Sequence, residues 1–60
     1  MIKMQSTNLG EAIRLLREAK GMTRAELSEA AGISESHLKK IEAGDRQPGI
    51  NTYQKIVMAL

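Results

Sequence analysis

Residues 26–44 read ELSEAAGISESHLKKIEAG. Two short apolar-periodic pieces flank a single Ala31-Gly32 break. In the first, Leu27 and Ala31 fall on one side at helical spacing; in the second, Leu38 and Ile41 do. Thr23 stands ahead of the first piece with Glu26 three residues on, a capping box. Ser34 stands ahead of the second, with Glu35 in the first turn, where the helix dipole favours a carboxylate. Gly32 adopts positive φ without a Cβ clash and stops the first helix after about eight residues. The spacing therefore predicts two short helices crossing at a large angle, with Ile33 turned inward. The second presents Ser34, Glu35, Ser36, Lys39 and Lys40 outward.

The same signals recur on either side. Asn8 and Glu11 form a capping box before Leu9, Ile13 and Leu16, and Gly21 closes that helix after Lys20. Gly44 closes the helix begun at Ser34. Asp45-Arg46-Gln47-Pro48-Gly49 is a loop by composition. A last helix begins near Ile50 or Asn51, capped by an Asn51–Gln54 box or by Gly49, with Tyr53, Ile56, Val57 and Leu60 as its buried stripe. Met1 to Thr7 reads as a loose arm, so the domain spans residues 8–60. Leu60 follows no stop signal, and the expectation is a domain of a longer chain.

Helices this short are marginal alone. They must share one core, predicted from Leu9, Ile13, Leu16, Met22, Leu27, Ala31, Ile33, Leu38, Ile41, Tyr53, Ile56 and Leu60, with Met58 also at core spacing. The fold class is all-α, a compact bundle of four short helices.

Composition narrows the function classes. With 60 residues the chain is one domain with little room for a deep cleft. It has no cysteine, hence neither disulfides nor a thiolate metal site. Nine Lys and Arg against seven Asp and Glu give a net charge of +2, which permits a polyanionic partner without demanding one. The run Ile56 to Leu60 is too short to span a bilayer. A single tyrosine disfavours single-strand binding by base stacking. Ser28, Ser34 and Ser36 have no base with an orienting partner, so the chain is not expected to be an enzyme. His37, the one histidine, fits a polar edge or phosphate neighbour better than a metal ligand, since no second ligand stands at suitable spacing. No cofactor is implied.

Two helices joined by a short Gly-containing turn are the helix-turn-helix arrangement, in which the second helix enters a DNA major groove. At that level the stretches LGEAIRLLREAKGMTRAEL, AAGISESHLKKIEAG and RQPGINTYQKIVMAL resemble the lambda-repressor-like, Cro-type helix-turn-helix regulators, of the xenobiotic-response-element type. The shared order is Arg-x-x-x-Gly, Thr-x-x-x-Leu, Gly-hydrophobic-Ser, Ile-Glu-x-Gly, Pro, and a closing Ile-x-x-Ala-Leu. The resemblance covers Leu9 to Leu60, and the family's final helix is missing after Leu60.

The resemblance implies sequence-specific binding of double-stranded DNA by a repressor-like transcriptional regulator in the cytoplasm, on the nucleoid when bound, and acting as a homodimer. It implies that Ser34 caps the recognition helix, about residues 34–42, and touches a phosphate. Glu35, Ser36 and Lys40 match base-reading positions. Arg24, Arg46 and Gln47 match positions near the DNA backbone, and Lys39 fits a phosphate contact. Arg17 and Glu42 match an ion pair tying the first helix to the third.

Two departures matter. Gln is common in the family where this chain has Arg24, which either binds phosphate bidentately or pairs with Glu35. Ala is favoured where Ser28 stands, so that hydroxyl needs a carbonyl one turn back. Glu35 and Lys39 also form the ordinary i,i+4 solvated pair, worth about 0.2–0.5 kcal/mol; the family match favours groove contact. The rival reading is a protein-interaction module that keeps the fold, as in co-activator or antitoxin-like contexts.

Overall fold

The computed structural model describes residues 9–60. The expected arm and the Asn8–Glu11 capping box lie outside the described residues. Four helices follow one another: α1, Leu9–Ala19; α2, Arg24–Ala31; α3, Glu35–Ala43; and α4, Ile50–Ala59. No strand occurs among the described residues.

The local signals set the element ends. At α2, Thr23 Oγ1 accepts from the Glu26 N–H at 3.0 Å, and Glu26 Oε1 accepts from the Thr23 N–H at 2.8 Å. Two of the otherwise orphan donors at this helix start are thereby satisfied. Gly32, at φ 73°, ends α2, and the Ile33 N–H then reaches back to the Ser28 carbonyl at 3.0 Å. That closure turns Ile33 onto the core. Gly44, at φ 84°, ends α3 in the same way, with the Asp45 N–H on the Lys40 carbonyl.

Of the two caps expected for α4, the glycine is the one used. Gly49 is the N-cap of α4 and has no side-chain capping bond, so the Asn51–Gln54 box does not form. Asn51 already lies inside the first turn, two residues too late to cap it.

The core is a single nucleus of Ile13, Leu27, Ala31, Leu38, Ile41 and Ile56, with Met22, Ile33, Ala59 and Leu60 packed against it. α2 packs on both α3 and α4, while α1 packs on α3. Four expected core positions are corrected: Leu9, Leu16, Val57 and Met58 are exposed. Tyr53 is half-buried. On α1 the buried face is Gly10, Ile13 and Arg17, not Leu9, Ile13 and Leu16.

The reason for that rotation is contact with α3. A Cβ at Gly10 would lie 1.9 Å from the Ile41 carbonyl oxygen, so only a glycine admits this approach. One helical turn or two further along, Ile13 enters the core and Arg17 meets the end of α3. Packing shape, rather than hydrophobicity alone, chooses the buried face.

Candidate nucleic-acid interface

α3 is held by its buried side. Leu38 is 0% exposed and Ile41 1%. Successive residues of a helix point around its axis, so burying these two leaves Glu35, Ser36, Lys39 and Lys40 outside, and all four are exposed. Ser34 is the N-cap, its Oγ accepting the His37 N–H at 3.0 Å. α3 is separated from α2 by the Gly32 turn and does not continue it.

Charge is distributed unevenly. On α1, Arg14 donates to Glu18 at 3.2 Å and to Glu11 at 3.4 Å. Arg17 is buried; it donates to both carboxylate oxygens of Glu42, at 2.8 and 3.2 Å, and to the Met22 carbonyl at 2.8 Å. The Glu42 hydrogen bond holds the Arg17 guanidinium above its ordinary pKa, against the opposing effect of burial. These cations are satisfied within the chain. By contrast, the side chains of Glu35, Ser36, Lys39, Lys40, Arg46 and Gln47 make no hydrogen bond or ion pair among the described residues. They keep their full capacity for a partner.

A shallow concavity of about 340 Å³ gathers Ser34, Ser36, His37 and Lys40 from α3 and its cap with Arg46 from the following loop. No carboxylate lines it. Of the residues expected at the interface, Ser34, Ser36, Lys40 and Arg46 are thus brought together. Glu35, Lys39, Gln47 and Arg24 lie outside the concavity. His37 joins it; the sequence reads this residue as a polar edge or phosphate neighbour without assigning it to the contact set. Its position, one turn before Lys40, was the available signal.

Arg24 is corrected in one respect. Its Nε lies 3.8 Å from Glu42 Oε1, and it forms no pair with Glu35. Glu42 is fixed by Arg17 and adds a weak attraction for Arg24, leaving Glu35 unconstrained. Ser28 behaves as expected: it is buried and its Oγ donates to the Ala25 carbonyl at 3.0 Å. No metal-binding cluster of His, Asp or Glu occurs among the described residues. No described helix is long and apolar enough to cross a membrane.

Comparison with known proteins adds a family. A relative from Sinorhizobium fredii, named as an HTH-type transcriptional regulator, is 32% identical over 56 residues, covering 93% of this chain and 29% of that protein. Relatives from Mycobacterium bovis and Mycobacterium tuberculosis, also named as HTH-type transcriptional regulators, are 40% identical over 53 residues, covering 88% of this chain and 21% of theirs. The chain therefore spans less than a third of the length of these relatives. No solved structure matches it significantly. The family model described as Helix-turn-helix matches residues 13–60. With capped α2 and α3 joined through the Gly32 turn, the chain belongs to the Cro/C1-type helix-turn-helix family.

Proposed function

We propose that the chain binds double-stranded DNA sequence-specifically, with α3 in the major groove, as the DNA-reading part of a repressor-like transcriptional regulator. The observation that carries this is the unpaired polar face of α3 and the following loop. Lys40 donates to guanine O6 or N7. Glu35 only accepts, so its natural target is cytosine N4. Ser36 donates or accepts. Lys39, Arg46, Gln47, Arg24 and Ser34 hold the DNA backbone, which sets register without reading sequence.

The regulator names of the relatives support the reading, of which the xenobiotic-response-element type is the finer part proposed. A homodimer belongs to it, with two α3 helices about 34 Å apart on successive turns of the duplex. The place of action is the cytoplasm, at the nucleoid.

Selection of random duplexes by the purified chain at two salt concentrations tests it. Enrichment of one sequence, with affinity falling steeply as salt rises through counterion release, is the expected result. Failure to enrich any sequence, with no binding even at low salt, favours the protein-interaction reading.

A further inference from the structure

The imidazole of His37 stands apart from the rest of α3. It is half-buried where Glu35, Ser36, Lys39 and Lys40 are exposed, and its ring has no hydrogen bond or ion pair among the described residues. It lines the concavity with Lys40 on its own helix and Arg46 on the loop. Ser34 and Ser36 supply the hydroxyls there, and these five residues are its whole lining. The acids adjacent in sequence are Glu35 and Asp45, and neither is part of that lining. The basin thus holds two fixed cations, one titratable nitrogen base, two hydroxyls and no negative charge. A phosphodiester matches that set: one anionic group with several acceptor oxygens.

We propose that His37 contacts a backbone phosphate seated between it and Arg46, and that it does so as the imidazolium, so that the chain takes up a proton when it binds DNA. This rests on the DNA-binding reading. The proton comes from solvent and stays on the ring while the phosphate is present. Lys40 forms the groove-ward rim of the seat, where its ammonium remains free to reach a base edge. Histidine is the side chain suited to this coupling, because its charge ordinarily changes between about pH 5 and 8. An anion held against a histidine favours its charged form.

The test uses the intact chain and a random-sequence duplex at low salt, near pH 6 and near pH 8. Wild type is expected to bind about five-fold more tightly at the lower pH. The terminal amine also titrates near the upper end of this range, so variants isolate the ring. H37Q should lose the pH dependence and bind at both values as wild type does at the higher one. H37K should lose it too, but bind tightly at both. Circular dichroism establishes that each variant is folded, and H37K decides the outcome if H37Q is not. Equal wild-type affinity at both pH values, or a dependence in H37Q as large as that of wild type, overturns the role of His37 while leaving DNA binding intact. Absence of duplex binding at either pH overturns the DNA-binding reading and this inference with it.

Discussion

Arg17 and Glu42 form a two-point ion pair inside the protein, Nε to Oε2 at 2.8 Å and Nη2 to Oε1 at 3.2 Å, joining α1 to the last turn of α3. The third guanidinium nitrogen donates to the Met22 carbonyl, so the same side chain also fastens the α1–α2 turn. The platform that presents α3 is thus tied at its back by one arginine.

Removing either partner strands the other as a buried charge. R17A or E42A is expected to lose about 3–5 kcal/mol. A 60-residue domain has only about 3–9 kcal/mol in all, so either variant should lose a large share of the total stability. A double variant, R17M/E42L, should lose much less than the two single losses added together. Urea melts followed by circular dichroism measure both. Because the Arg17 pKa is raised, its contribution is fully present below the ordinary arginine value and is lost only as pH rises beyond it. Between pH 7 and 9, titration of Arg17 should therefore leave stability unchanged.

Gly10 sets how closely α1 approaches α3. Alanine is the better helix former by about 1 kcal/mol, yet its Cβ would meet the Ile41 carbonyl oxygen at 1.9 Å. Because the obstacle is backbone, α1 itself must move. G10A is expected to destabilise by about 1–3 kcal/mol, measured as a fall in the urea midpoint. Gly32 offers the contrasting mechanism: open space around it but φ at 73°, so G32A should lose about 1–2 kcal/mol through backbone strain alone.

The corrected face of α1 is tested by two leucine-sized changes. Ile13 is 2% exposed and I13A should lose about 2–5 kcal/mol. Leu16 is 51% exposed, and L16Q should stay within about 0.5 kcal/mol of wild type. Equal losses in the two variants would restore Leu16 to the core.

The Thr23 cap stabilises α2 without belonging to the proposed interface. T23A should lose about 1 kcal/mol of stability. Once the folded fraction is taken into account, its DNA affinity should match wild type in a titration against the selected duplex.

Lys40 and Lys39 separate reading from holding. K40A should lose about 1–3 kcal/mol of binding and relax preference at one base position. K39A should weaken all duplexes alike and lower the salt slope by about one. Equal losses for K40A on selected and scrambled duplexes would remove Lys40 from the base-reading set.

The helix ends were legible because their causes are local. Thr23 and Glu26, Ser34 and the His37 amide, and Gly32 with the Ser28 carbonyl all lie within a few residues of one another. A chain of 60 residues with these caps has few ways to arrange four helices around one apolar nucleus, so the all-α bundle and the projecting α3 were determined by sequence. Burial was not local in this way. Leu9, Ile13 and Leu16 make as good an apolar stripe as any, but α1 turned to seat Gly10 on the Ile41 backbone and Arg17 on Glu42. Likewise Arg24 came to lie near Glu42 instead of Glu35, and His37 came to share a concavity with Arg46. Local hydrogen bonds decide where a helix starts and stops. Which side of it faces inward depends on the shape and charge of surfaces that only the folded chain brings together.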